Sequence, residues 1–287
     1  MNSPTSLVIL VLFCLRTDHF GQSVFNTPNE KGAEYLVGEK SFKPWTIVPS
    51  FSYSFFNKGR DSWQRESLDI YYLADNSLLL GGSVDFQQRP PNEDDFTYSF
   101  NSSWYPRKNL ELHAEISITP DAHFLANERY SVGAQYTLNS KATLLFDVER
   151  LDFDSNSTRG QFHITQIRPG VSYWLNEKSE ITLRYTHGWL HNESDYDYYS
   201  ASVKFIDLPR DAQLTVGVAY GTDPDLDFGT MGAILSDAYT CSVFYKQPIK
   251  PDLSVYAGVE YVYRMRADTN GELYQRITPT IGLSWKF

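Results

Sequence analysis

The sequence predicts an all-β chain, an antiparallel up-and-down β-barrel of about fourteen strands that spans a membrane. Three observations predict it. Apolar and polar residues alternate with a period of two in segment after segment, as in strands whose two faces meet different surroundings. The breaks between segments are short and long by turns. The chain also holds 20 Tyr, 18 Phe and 6 Trp. Trp and Tyr gather near segment ends, among them Trp63, Trp104, Tyr105, Tyr173, Trp189, Tyr220 and Trp285. Rings at both rims of a barrel form interfacial girdles. A soluble sandwich would also alternate, but its apolar face needs a partner sheet and its strands run shorter.

The elements follow in order. Residues 47–55 put Ile47, Pro49, Phe51, Tyr53 and Phe55 on one face, with Val48 and serines opposite. The segment 63–74 alternates weakly, as does 236–246, and without these two the count falls to twelve. Leu78, Leu80, Val84 and Phe86 oppose Gly81, Ser83 and Asp85. Phe96, Tyr98, Phe100 and Trp104 oppose Thr97, Ser99, Asn101 and Ser103. Leu110, Leu112, Ala114, Ile116 and Ile118 oppose Glu111, His113, Glu115 and Ser117. Tyr130, Val132, Ala134, Tyr136 and Leu138 oppose Ser131, Gly133, Gln135 and Thr137. Ile181, Leu183, Tyr185, His187 and Trp189 share a lipid face by the same parity, and 253–263 and 277–287 alternate likewise. Short polar turns fall at Asp75-Asn76, 106–109, Asn139-Ser140, 176–178, 207–211 and 248–252. Longer connections fall at 57–62, 89–95, 120–126, 152–160, 191–195, 222–234 and 265–272. Short turns on one side and long loops on the other are the habit of outer-membrane barrels, and fourteen is an even number, as a single-chain bacterial barrel requires.

Composition narrows the class. Mean hydropathy is -0.39, and no internal run of 18 apolar residues exists, which excludes a helical membrane protein. The net charge of -10 argues against nucleic acid as a partner. The two cysteines, Cys14 and Cys241, leave no internal disulfide and no cysteine metal site once Cys14 is removed. Residues 5–15 form a short apolar run that suits an export signal, with a small-x-small site at Gly21-Gln22-Ser23. The expected organisation is therefore a signal peptide over 1–23, a polar periplasmic arm over 24–43 that either stays outside or folds into the lumen, and a barrel over 44–287.

The final strand, Tyr274 to Phe287, ends on an amphipathic run closed by Phe. It resembles the closing strand of bacterial outer-membrane barrels, where that terminus is an assembly signal, so the resemblance gives Phe287 that role and implies the barrel-assembly machinery as a partner. Three further features make the chain similar to the YaiO-type outer-membrane barrel family: Trp63 ahead of the second strand, Thr119-Pro120-Asp121-Ala122-His123-Phe124-Leu125 in mid-chain, and the hairpin layout running to Ser284-Trp285-Lys286-Phe287. The resemblance covers residues 45–287. It implies the outer membrane and carries no catalytic residues. Polysaccharide-export barrels of this size need a periplasmic helical-repeat arm, which twenty residues cannot form.

Candidate chemistry is sparse. Tyr185-Thr186-His187-Gly188-Trp189 places a His on the lipid face, but the residue two places on is Trp, so the His-x-Ser pair of outer-membrane phospholipases is missing. His191 and Ser194 are three apart in a loop. His113 points inward between Glu111 and Glu115, a set that suits either a metal or acid/base site or a polar lumen network, the network being the ordinary state of a barrel interior. Other inward charges on parity are Asp69, Asp85, Arg89, Asp147, Glu149, Arg168, Arg184, Lys204, Lys246, Glu260 and Arg264. Acids dominate the strands of Glu111, Glu115, Asp147 and Glu149, and bases (Arg168, Arg184, Lys204) the three that follow. That order fits a pore with a transverse field and equally a lumen crossed by salt bridges. The loop Asp223-Pro224-Asp225-Leu226-Asp227-Phe228-Gly229 fails the EF-hand spacing. No phosphate loop, nucleotide fingerprint or zinc spacing is present. The expectation is a monomeric barrel among outer-membrane lipid and lipopolysaccharide, without cofactor, metal or catalysis, acting as a narrow channel or envelope component. The rival readings are a lipid-modifying enzyme and a structural or adhesive barrel with a blocked lumen.

Overall fold

The structure, a computed structural model, describes residues 44–287 except 76, 90–92, 155–160, 191–194, 226–233 and 267–270. The expected signal peptide and arm, His191, Ser194 and residues 226–229 of the acidic loop lie outside the described residues. Fourteen strands follow one another: β1 (Trp45–Phe56), β2 (Trp63–Asp75), β3 (Leu78–Arg89), β4 (Glu93–Arg107), β5 (Leu110–Ile118), β6 (Glu128–Thr137), β7 (Ala142–Phe153), β8 (Phe162–Asn176), β9 (Ser179–Leu190), β10 (Asp195–Leu208), β11 (Ala212–Asp225), β12 (Ile234–Lys250), β13 (Leu253–Arg266) and β14 (Glu272–Lys286). Both weakly patterned segments are strands, so the count is fourteen.

Each strand pairs antiparallel with its neighbours in sequence, and β1 pairs with β14 to close the barrel, with Phe51 opposite Ile281 and Thr46 opposite Lys286. Closure leaves no sheet edge to lipid, where an unpaired backbone group would cost several kcal/mol, about the price of a lost hydrogen bond in hydrocarbon. The short connections are built by side chains that mimic the backbone. Asn139 Oδ1 accepts from the amides of Lys141 and Ala142 at 2.8 and 3.1 Å, Asn176 Oδ1 from Lys178 at 2.8 Å, and Asp75 Oδ1 from Ser77 at 2.6 Å. At the same end Lys178 reaches the Asp207 carboxylate at 2.6 Å, a hydrogen bond that raises the lysine's pKa above its ordinary value. A single 3-10 turn, Pro209–Asp211, joins β10 to β11. Several strands outrun the sequence expectation: β3 reaches Arg89, β4 begins at Glu93, and β11 reaches Asp225.

The outward face is apolar and exposed: Phe96, Tyr98, Phe100, Trp104, Val132, Leu144, Phe146, Ile281 and Trp285 are all open on the exterior. Aromatic pairs mark both rims, Trp45 with Tyr72 and Trp285 with Phe287 at the turn end, Tyr185 with Tyr199 and Tyr220 with Tyr239 at the loop end. This is a transmembrane β-barrel of the outer-membrane type. Trp63 and Tyr105 depart from the expected girdle, because the strand parity they share with Arg65 and Ser103 turns them inward; Trp63 is buried in the lumen.

Candidate functional site

The inward face is the candidate site. The structure places all nine sequence-predicted lumen residues there, and most of them are brought into direct contact along the wall. Asp147 on β7 receives His113 Nε2 from β5 at 2.7 Å and Arg184 Nη1 from β9. Both partners reach across an intervening strand, and a glycine lets each pass. A Cβ at Gly133 would stand 2.3 Å from His113 Nε2, and one at Gly170 would stand 2.7 Å from Arg184 Cγ. Glu149 receives Arg168 Nη1 at 3.2 Å together with Arg129 and Gln166. Glu115 lies 4.0 Å from Arg129 Nη1, Ser103 and Tyr105 hydrogen-bond Glu111, and Glu260 is bound by Arg276 Nη2 at 2.8 Å. Lys204 is buried opposite Glu180 in the β9–β10 register.

The acidic and basic strands foreseen as walls of opposite sign are thus stitched together pair by pair. Buried charges of this kind need partners, and removing one partner of a buried pair typically costs about 3–5 kcal/mol. Four participants escaped the sequence reading. Arg129 lies one residue outside the 130–138 segment, Arg65 lies within the weakly alternating 63–74, and Glu180 and Arg276 share the inward parity of Thr182 and Thr278. Arg65 binds Asp85 at 2.7 Å. His113 faces Asp147, and Glu111 is 4.0 Å from its Nδ1. Among the described residues no group of three His, Cys, Asp or Glu is arranged to hold a metal.

At the loop end the lumen turns apolar. Leu151, Phe153, Ile164, Leu190 and Tyr196 form one buried cluster with Ala126, and Phe153 stacks on Phe162 at 4.2 Å. Ala126 belongs to the β5–β6 connection, residues 119–127, which folds inward and buries Ala122, Phe124, Leu125 and Ala126. On the other side Phe124 covers the Arg89 guanidinium, 3.8 Å from its ring centre, and Trp63 covers the opposite flank at 3.7 Å. The connection therefore crosses the mouth, from the β2–β3 wall to the β7–β10 wall. Asp95 on β4 pins it there: its carboxylate accepts the backbone amides of His123, Phe124 and Leu125 at 2.8, 3.0 and 2.9 Å, and His123 Nδ1 at 3.1 Å. The sequence reading had put Asp95 in a loop.

His187 lies on the exterior near the loop-end rim. Its Nδ1 is 2.9 Å from Asp197 Oδ1, Tyr185 donates to the same oxygen at 2.5 Å, and its ring stands edge-on to Trp189.

Neither a protein-family model nor a curated protein sequence matches the chain. Solved structures do match in fold. The chain is similar to the TodX deltaS2S3 mutant monoaromatic hydrocarbon channel (TM-score 0.61, 10% identity, 86% of this chain and 91% of that one). It is also similar to a bacterial polysaccharide outer membrane secretin (TM-score 0.58, 10% identity, 86% and 100%). A third likeness is to a Pseudomonas aeruginosa FadL homologue (TM-score 0.58, 10% identity, 93% and 94%). At these identities the likeness establishes the outer-membrane β-barrel fold.

Proposed function

We propose that this protein is a narrow, non-enzymatic outer-membrane channel. The observation that carries the reading is a closed barrel whose outward face is apolar and whose inward face is polar, with hydroxyl groups such as Ser50, Ser52 and Ser54 still open to lumen water. One of the structures it resembles is a monoaromatic hydrocarbon channel, which supports a channel without naming its solute. Against catalysis, the described hydrogen bonds of His187 lead to Asp197, which also binds Tyr185, and bring no Ser, Thr or Cys nucleophile into a triad. Trp63 and the Thr119–Leu125 segment meet at the mouth, a physical reason for the motifs that make the chain similar to the YaiO-type family, and we infer that it is a barrel of that type. We further infer that residues 1–23 direct export and that lipopolysaccharide surrounds the loop-end rim.

Purified protein in planar bilayers tests the reading. Discrete single-channel steps well below those of a wide porin are expected, because the 119–127 connection crosses the mouth. Heat-modifiable, correctly folded protein that gives no steps and no solute flux in proteoliposomes would reject the channel in favour of a blocked structural barrel.

A further inference from the structure

The lumen is not evenly wet. On β7 the inward side chains of Thr143, Leu145, Asp147, Glu149, Leu151 and Phe153 are all buried. The inward side chains from Glu180 to Leu190 on β9, and from Tyr196 to Lys204 on β10, are buried as well. Facing them, Ser50, Ser52 and Ser54 on β1, Ser67 on β2, and Asn101 and Ser103 on β4 are partly exposed, although the inward side chains of β3 between them, from Ser83 to Arg89, are buried. In a closed barrel, exposure on the inward parity is exposure to lumen water. The charges divide in the same way. The side chains of His113, Glu115 and Arg129 keep 24%, 16% and 15% of their surface, whereas those of Asp147, Glu149 and Arg184 keep 5%, 3% and 2%.

The division has a cause in the sequence. Among the serines and threonines on the inward side of β8–β10 stand long or aromatic chains that lie flat on the wall. Tyr196 lies over Gly188, where a Cβ would come within 2.0 Å of its ring, and Arg184 lies over Gly170. These chains cover one another and squeeze water out. The partly exposed inward positions on β1, β2 and β4 hold serines and an asparagine, too short to fill the space before them, while Val48 and Tyr71 on the same strands are buried against Tyr256.

We propose that permeation follows an off-centre path along β1, β2, β4, β5 and the β6 guanidinium of Arg129, and that this path takes small, neutral, polyhydroxylated solutes. The inference rests on the channel reading. Hydroxyls both donate and accept, so a row of them can replace the water around a polyol in any orientation. The charges that reach the path are balanced beside it. Arg65 is held by Asp85 at 2.7 Å, and Arg129 is held by Glu149 with Glu115 at 4.0 Å. A matched wall of this kind gives an ion of either sign little net attraction to offset its desolvation. Apolar solutes are disfavoured too, because the buried apolar cluster at the mouth is packed against itself and presents little surface to the path.

Single cysteines test the position of the path. In a background with Cys14 and Cys241 replaced by Ser, cysteine is placed at Ser52, Ser67 or Ser103 on the path and at Ser172 or Ser202 on the dry wall. Each variant is checked for heat-modifiability, then treated with a charged thiosulfonate reagent. Modification at 52, 67 and 103 should lower single-channel conductance by about two-fold or more, with 172 and 202 unreactive. If the wild type conducts but 172 and 202 react as fast as the path positions, the off-centre path is wrong and the channel reading stands. If the wild type does not conduct, the channel reading is wrong, and labelling followed by mass spectrometry still decides where water lies. Proteoliposome swelling tests the class: a neutral pentitol should permeate about three-fold or more faster than a size-matched organic anion or cation. Equal or faster flux of either ion would overturn the assignment.

Discussion

Replacing Asp95 by Ala should loosen the connection that crosses the outer mouth without unfolding the barrel. The carboxylate accepts three successive backbone amides, from His123, Phe124 and Leu125, at 2.8–3.0 Å. Hydrogen bonds to a charged acceptor are worth about 1.5–3 kcal/mol each, so the set of three contributes about 4.5–9 kcal/mol to docking, nearer the lower figure where the freed amides regain water. Two other contributions hold the connection. Burial of Phe124 and Leu125 is worth about 1.5–3 kcal/mol for each side chain, and the Arg89 stack adds about 1 kcal/mol. Ordering nine residues opposes all of this at about 1–2 kcal/mol per residue, part of which is already met by the strands at either end. The docked state comes near balance only with the carboxylate's hydrogen bonds, so the Ala variant, held by apolar packing alone, should release far more often than the wild type. The readout is twofold: larger, briefer conductance steps in planar bilayers, and protease cleavage within 119–127 in outer-membrane preparations. Asp95→Asn should fall between, since its amide nitrogen opposes two of the donors. Phe124→Ala removes the contact to Arg89 and should shift gating the same way, which guards against a misfolded Asp95 variant. Unchanged steps and an uncut connection in both folded variants would refute the reasoning.

The remaining predictions concern the wall, the packing and the seam. Glu115→Gln leaves Arg129 and Arg65 on the wet face, so the cation-to-anion permeability ratio should fall; a unit charge 4 Å away is worth about 1 kcal/mol in water, which limits the change to about five-fold. Glu149→Gln, on the dry wall beside Arg129 and Arg168, should instead lower the unfolding midpoint, and a selectivity change without destabilisation would contradict its burial. Gly188→Ala drives a Cβ into the Tyr196 ring and strains the Tyr196–Gln166 hydrogen bond of 3.2 Å, so stability in urea should drop by about 1–3 kcal/mol, where an unchanged midpoint would show that the ring moves freely. Phe287 pairs its backbone with Trp45 across the closing seam, its amide donating at 3.0 Å and its carbonyl accepting at 3.2 Å, and its ring faces outward. Phe287→Ala should lower the amount of heat-modifiable barrel in the outer membrane while synthesis is unchanged, as judged by pulse labelling.

The fold was legible because a barrel wall has two solvents. Lipid outside and a polar lumen inside impose the same alternation on every strand, so Phe96 to Trp104 and Leu110 to Ile118 declare both their structure and their facing. The alternating short and long breaks then order fourteen strands without any long-range information. The site was legible only as far as parity reaches. Parity turned Asp147 and Arg184 inward, but not toward each other, because their meeting depends on an absent side chain at Gly170 and on a register set by the turn at Asn176. It missed Arg129 and Asp95 because polar strand ends look like loops, and Arg65 because the alternation of 63–74 is weak. Nor can a period of two tell which inward faces stay wet, since wetness follows from how long side chains lie across neighbouring strands. Trp63 shows the limit most clearly. As a ring at a strand end it reads as a girdle residue, yet the strand places it inside, flat on Arg89, with Phe124 on the other flank. The two motifs that lie some sixty residues apart in the chain are the two halves of one clamp, and the cation between them is the reason both must be aromatic.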